Sequence, residues 1–338
     1  MTAPPARARE GNGDTGPGGR AGVITVVGEA LADVIIGDGG ERTVHPGGSA
    51  ANVAVALSRL GQHATLVTQL GADGHGDLIR AHLAGNGVEL IQAGPVTGPT
   101  SEALATLSAG GGASYEFRLS WDVPGARIAA GSVALHTGSL GVLLQPGGQR
   151  VLELLESACR DGGLVTSYDP NARPSVTQDR RAAAALAERA AASAHIVKVS
   201  EEDLGFLFPG MTQGQLADRL LRTGRATRLL VVTRGGEGAF VATREVRFSA
   251  AAVPVTVADT VGAGDAFTAA LLAGLAELRM LTPRALAGRV SNDPGVLHEI
   301  ADQALAAAAL TCTRPGANPP TTGELRRFRG IISGQSGQ

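Results

Sequence analysis

An α/β fold, with a mostly parallel sheet covered by helices and a small β-stranded appendage, is predicted by three observations. Short continuous apolar runs such as 23–28 (VITVVG) suit strands buried on both faces. From residue 132 onward such runs alternate with helical stretches, the rhythm of strand–helix–strand units. Residues 102–119 break that rhythm with period-two alternation about a glycine-rich turn, which signals an antiparallel hairpin.

Taken in order, the first strand is 23–28. Residues 49–60 carry apolar side chains at helical spacing, start at Ser49 as a capping serine and stop at Gly61. A strand over 64–69 and a helix over 76–85 follow. The hairpin pairs 102–108 (EALATLS) with 113–119 (ASYEFRL) across Ala109-Gly110-Gly111-Gly112. Such an excursion is either decoration or a lid, and the lid is favoured because loops that exclude water recur in group-transfer enzymes. Strands at 133–136, 164–168, 195–199 and 229–233 are then separated by helices such as 150–160 and 180–194. No internal repeat or linker divides the chain, so one large domain with a β appendage is expected.

Composition narrows the function. The chain is 43% hydrophobic and 18% charged, as in a globular protein with ample core material. A formal net charge of −2 gives no electrostatic case for nucleic acid or an anionic membrane. Cys159 and Cys312 lie far apart with no ligand cluster, which fits free thiols in a reducing, cytoplasmic compartment. Residues 1–20 are rich in Pro, Gly and Arg and lack the apolar core of a secretory signal; no later run would span a bilayer. Residues 11–16 spell GxGxxG, but they follow no strand and open no helix, so a dinucleotide site is rejected there. Walker, protein-kinase, GxSxG and HExxH motifs are absent.

The chemistry concentrates in Gly/Asn/Asp segments placed just after strands, where open α/β sheets bind ligands. In Asp259-Thr260-Val261-Gly262-Ala263-Gly264-Asp265 a small-residue turn empties into an apolar helix. The first turn of a helix offers unpaired N–H groups and partial positive charge to a phosphate, and Gly262 and Gly264 permit close approach. Asp265 then reads either as a base beside an anion hole or as an acid favoured by the helix dipole. Gly47, Gly48 and Ser49 read as a turn and cap, which leaves Asn52 unexplained as a polar group within an apolar helix. Asp33 follows the first strand and, alone, could equally be a surface acid. Asp169-Pro170-Asn171-Ala172-Arg173-Pro174 ends the strand at 164–168 and reads as a turn or a polar site.

The segments 46–61 (PGGSAANVAVALSRLG) and 259–275 (DTVGAGDAFTAALLAGL) resemble the two signatures of the ribokinase-like, or PfkB, carbohydrate kinases. DPNARP (169–174), KVSEED (198–203), VTRGGEGA (232–239) and TCTRPGA (311–317) also match in order, so the resemblance covers about residues 22 to 328. It implies ATP-dependent phosphorylation of a sugar hydroxyl on a Rossmann-like core with a β lid. By position, Asp265 is the base, and the amides of Gly262, Ala263 and Gly264 form the anion hole. Asp33, Gly47, Gly48 and Asn52 match sugar ligands, while Ser200, Thr233, Gly235 and Gly238, with Gly262 and Gly264, match the nucleotide side. Asp259, with carbonyls near 261 and 311–316, matches a monovalent-cation site, for which K⁺ activation is expected. Mg²⁺ is expected to arrive with ATP, largely through waters.

The implied organisation is a kinase domain over 22–329, a lid drawn from about 33–46 and 98–122, a disordered tail at 1–21 and a frayed end at 330–338. Two positions depart from the family pattern. Ser200-Glu201-Glu202-Asp203 stands where Asn-x-x-Glu is frequent, leaving Asp203 as a water-mediated Mg²⁺ contact. Leu305 stands where an asparagine is frequent, so adenine contacts should differ. The stretch 282–296 is longer and looser than the family's and carries no functional assignment. GEALAD (28–33), DPNARP and TCTRPGA most resemble bacterial fructokinases, with Arg173 orienting the substrate or the active-site acids. Tyr115 and Phe117 either cover the sugar or pack the hairpin. Ribose, 2-keto-3-deoxygluconate and nucleosides such as adenosine are the other acceptors within the resemblance. A non-catalytic binder on the same fold is the rival from another class. A homodimer through the lid is the expected assembly, since exposed period-two strands seek a partner.

Overall fold

The structure, a computed structural model, describes residues 22–37, 39–107, 113–177, 179–222, 226–290 and 293–335. Strand β1 (Val23–Val27) opens the main sheet, and β2 (Leu31–Ile36) and β3 (Arg42–Gly47) leave it to start a second one. Helix α1 (Ser49–Arg59), β4 (His63–Thr68), α2 (Gly74–Gly85) and β5 (Glu89–Gln92) return the chain to the main sheet. Strands β6 (Glu102–Leu107) and β7 (Ala113–Arg118) complete the second sheet as the expected hairpin, whose turn at 108–112 lies outside the described residues.

The regular alternation follows: β8 (Ser132–Gly138), α3 (Leu140–Leu143), α4 (Gly147–Asp161), β9 (Val165–Asp169) and α5 (Arg180–Ala192). It continues with β10 (Ile196–Ser200), α6 (Glu201–Leu207), α7 (Gln213–Arg222) and β11 (Leu229–Thr233). A hairpin of β12 (Ala239–Ala242) and β13 (Arg247–Ala250) precedes α8 (Ala263–Glu277), α9 (Pro283–Ala285), α10 (Pro294–Cys312) and α11 (Thr322–Gln335).

The nine-stranded sheet has the order β13-β12-β11-β10-β9-β8-β1-β4-β5. It is parallel from β5 to β11 and antiparallel at β12 and β13. Winding proceeds from β1 towards β5 in one direction and from β8 towards β11 in the other, so the switch point lies between β1 and β8. Outside the carboxyl ends of those strands is where such sheets form their ligand crevice. Strands buried on both faces need apolar residues at every position: Leu229 and Val231 enter one core while Leu230 and Val232 enter the other. The first core holds α1, α8 and α10, and the second holds α4 to α7.

The four-stranded sheet, order β3-β2-β6-β7, is parallel only between β2 and β6. Ala32, Val34 and Leu104 make a small apolar cluster on one face, with Ile36 and Val44 packed against it. Asp33 pairs with His45 and Ala103, and Ala103 with Phe117, so these side chains share the opposite face. Pro46 is tolerated because β3 is an edge strand.

Two expectations change and one falls outside the described residues. Helix α11 runs through Gln335, past Gly330 where composition suggested fraying. The tail expected at 1–21 lies outside the described residues. The stretch 282–296 is ordered where described: Thr282 caps α9, Leu286–Val290 form a π-helical turn with Leu286 fully buried, and Asp293 caps α10. Among the described residues, no helix is long and apolar enough to cross a membrane.

Candidate active site

Helix α8 begins at Gly262, whose φ of 76° and lack of a side chain let the turn close against Ala317; an added Cβ would stand 2.7 Å from the Ala317 Cβ. No side chain caps this helix start. Ala266 N–H closes the helix onto the Gly262 carbonyl, whereas Ala263 N–H turns back to Thr260 O at 3.2 Å. The Ala263 amide thus has a partner within the turn, and the three residues whose amides the resemblance assigns to an anion hole, Gly262, Ala263 and Gly264, all lie at this helix start. The small residues that follow let α8 bury almost every side chain against α1 and α10.

That packing brings Asp265 to the start of α1. Asp265 is 7% exposed; its Oδ1 accepts from Ser49 Oγ at 2.6 Å and its Oδ2 from Asn52 Nδ2 at 2.9 Å. Burial raises its pKa above the usual carboxylate range; the Ser49 and Asn52 hydrogen bonds pull it down. Asn52, the polar residue in an apolar helix, thus faces the carboxylate one helical turn from Gly48. Ser49 is not the cap that its type and position suggest. The N-cap is Gly48, at φ 98°, with no room for a Cβ beside the Glu29 carbonyl and Ala30 Cα at 2.7 and 2.9 Å. The Ser49 hydroxyl reaches Asp265, and its backbone N–H donates to Glu29 Oε1 at 3.0 Å.

Behind Asp265 lies a buried ion pair. Lys198 Nζ donates to Asp169 Oδ2 at 2.9 Å, with side chains 5% and 3% exposed, and Thr268 Oγ1 donates to the same oxygen at 3.2 Å. Among the described residues, Asp169 Oδ1 has no partner. Burial is the largest influence on Lys198 and opposes its charge, but the Asp169, Asp203 and Asp265 carboxylates together raise the ammonium pKa. The same Nζ sits 3.1 Å from where a Cβ on Gly264 would lie, so a buried positive charge adjoins the α8 turn. Burial, with Lys198 nearby, pushes His136 down to about 3, leaving that imidazole neutral.

Asp33 extends the site onto the second sheet. It lies within β2, half-buried, with its carboxylate over Gly47, where a side chain would collide with it. Burial lifts its pKa to about 6 against the positive potentials of His45 and Arg173. Arg173 is exposed, and its Nη1 donates to Asn171 Oδ1 at 2.6 Å.

The other candidates flank this centre. Ser200 and Thr233 are register partners at the carboxyl ends of β10 and β11. Gly235 and Gly238, at φ 50° and 92°, shape the turn into β12, and Gly238 passes directly against the Ala250 carbonyl. Asp203 and Ser200 form a capping box on α6, and Asp203 Oδ1 also accepts Ala172 N–H at 2.7 Å. Each Asp203 oxygen thereby holds a partner within the protein. Asp259 ties two loops: Oδ1 accepts from Val261 N–H at 3.0 Å and Oδ2 from Gly316 N–H at 2.8 Å. Those backbone hydrogen bonds hold its pKa below the usual value. Among the described residues, no three His, Cys, Asp or Glu side chains cluster as a metal site.

Sequence reading missed Glu29, Ser49 as a site partner, and the Lys198–Asp169 pair. Lys198 carried a signal, being a lone charge within the buried strand IVKVS. Glu29 carried a similar one as a carboxylate immediately after a buried strand.

The arrangement has relatives. A fructokinase of Rhizobium leguminosarum bv. trifolii is 34% identical over 279 residues, spanning 78% of this chain and 83% of that protein. A crystal structure of fructokinase from Xylella fastidiosa superposes with a TM-score of 0.79 at 26% identity, covering 92% of this chain and 99% of that one. A fructokinase double mutant from Vibrio cholerae O395, with fructose, ADP and potassium ion bound, gives 0.74 at 25% identity over 91% of this chain and 98% of that one. The profile described as pfkB family carbohydrate kinase matches residues 23–322, almost the whole described chain. The glycine-led helix start, the acid within it and the mostly parallel sheet beneath are those of a kinase fold, and the chain belongs to the pfkB family of carbohydrate kinases.

Proposed function

We propose that this carbohydrate kinase transfers the γ-phosphoryl group of ATP to fructose, giving fructose 6-phosphate, with Asp265 as the base. The observation that carries the reading is the seating of the Asp265 carboxylate between Ser49 and Asn52 at the start of α8. A buried carboxylate of raised proton affinity suits removal of a hydroxyl proton as the phosphorus–oxygen bond forms. The sugar oxygen attacks phosphorus in line, ADP leaves, and the proton passes to Asp265. The amide of Gly264, the α8 dipole and the neighbouring Lys198 ammonium stabilise charge on the transferred group. Asp33, Asn52 and Arg173 orient the sugar, and the strands of the second sheet close over it as a lid. Ser200, Thr233, Gly235 and Gly238 line the nucleotide side.

Fructose is favoured because the curated relatives are named fructokinases and a structural neighbour holds fructose. Mg²⁺ would be carried by the ATP phosphates and supply charge neutralisation there, with Asp203, whose oxygens already hold protein partners, reaching it through water. Asp259, favoured as a carboxylate by its backbone hydrogen bonds and tied through its own N–H to the Cys312 carbonyl, offers oxygen donors of the kind a hard monovalent cation takes. Faster turnover in K⁺ than in Na⁺ salts is therefore expected, and equal rates would remove that site.

The test is ADP release with ATP, Mg²⁺ and a panel of fructose, ribose, 2-keto-3-deoxygluconate and adenosine. Fructose should give the highest kcat/KM, whereas release with none of them would favour a binding protein. Asp265→Asn should keep ATP and sugar binding while turnover falls by roughly three orders of magnitude or more. An unchanged kcat would withdraw the base assignment.

A further inference from the structure

Glu29 is a carboxylate that the phosphoryl transfer does not itself use. It is 5% exposed and sits in the connection from β1 of the main sheet to β2 of the small one. Its Oε1 accepts from the N–H of Ser49, the first residue of α1, at 3.0 Å. Its Oε2 accepts from the N–H of Gly141 in α3 at 3.1 Å, while the hydroxyl of Ser139, just before α3, donates to the Asn171 carbonyl at 3.3 Å. Ser139 is held at φ 49°, a strained conformation for a residue with a side chain, which persists only where its surroundings over-determine it. The residue whose amide Glu29 holds, Ser49, is also the residue whose hydroxyl holds Asp265. Three residues further along α1, Asn52 holds the other Asp265 oxygen.

We infer that Glu29 is a positioning residue for turnover: by gripping the first amide of α1 and the start of α3, it keeps the Ser49 hydroxyl seated on Asp265. This rests on the reading of Asp265 as the base. An acceptor-only group is required because Glu29 meets one backbone donor on each oxygen; a glutamine would aim its own NH₂ at one of them. The negative charge also suits the amino end of α1. Displacing a base by a fraction of an ångström costs rate without loosening either substrate.

The site has a titration consequence. Burial, with the Asp265 charge adding to it, raises Glu29 to about 7. The charged group facing it is Asp265 from α8, with Asp169 of β9 and Lys198 of β10 behind that carboxylate. Protonation of Glu29 removes one acceptor and loosens Ser49, so kcat should fall on the acid side through two ionisations, Glu29 and Asp265.

The experiment is a double-mutant cycle of Glu29→Gln and Ser49→Ala, with kcat and both KM values followed against pH and Asp265→Asn measured in parallel. Glu29→Gln should lower kcat about ten- to hundredfold, leave both KM values within about twofold and reduce the acid limb to one ionisation. In the Ser49→Ala background its effect should shrink to about twofold or less. Glu29→Asp keeps the charge and should retain the two-step limb with an intermediate kcat, so a glutamine variant that fails to fold leaves the test intact. Additive effects, or an unchanged acid limb, with Asp265→Asn inactive, would overturn the role of Glu29 alone. An active Asp265→Asn enzyme would overturn both readings.

Discussion

Asp265 answers to two opposed influences. Burial favours its protonated form, and the hydrogen bonds from Ser49 and Asn52 favour the carboxylate. A base must be deprotonated to act, so activity rises as pH climbs through its pKa. Ser49→Ala deletes a hydrogen bond to the charged form and must raise that pKa further. The acid limb of kcat/KM should move up by about one pH unit, since a charge-assisted hydrogen bond contributes roughly 1.5–3 kcal/mol. A pH–rate profile of the variant checks this, and a limb that moves down would contradict the assignment of cause.

At the scale of elements, the site is a junction of helix starts. Helix α1 delivers Ser49 and Asn52, and α8 delivers Asp265 from a turn that only glycine at 262 allows. Their relative height depends on α8 being packed on all sides, and Phe267 is 2% exposed two residues beyond the base. Phe267→Ala should destabilise the fold by about 3–5 kcal/mol, read by urea denaturation. A cost below about 1 kcal/mol would mean that α8 is seated by its small residues rather than by this side chain.

For the whole molecule, Asp33 is carried by the small sheet while Asp265 starts a helix packed on the main one, so the proposed transfer would need the two sheets to meet across one crevice. If the small sheet serves as a lid, fructose together with a non-hydrolysable ATP analogue should slow amide hydrogen exchange in β2 and β3 more than either ligand alone. Unchanged exchange in those strands would remove the lid role.

Much of this was legible along the chain because its rules are local. Apolar runs of strand length and helices ended by glycine give the alternating architecture; period-two alternation gives β6 and β7. Strands β2 and β3 were harder to read, since a half-exposed pair with a proline and several polar residues lacks a clean alternation. Ser49 looked like a cap because serine at a helix start usually is one, but Gly48 holds that position and the hydroxyl goes instead to Asp265, more than two hundred residues later. By itself, then, the sequence determined the class of fold, the glycine turns and the candidate acid, each set by neighbours within a few residues. Only the tertiary structure decided which partners those groups meet: Ser49 and Asn52 on Asp265, Lys198 on Asp169, and Glu29 between α1 and α3. Those pairings join residues remote in the chain, and burial, which sets their energies and proton affinities, exists only once the helices and sheets have packed.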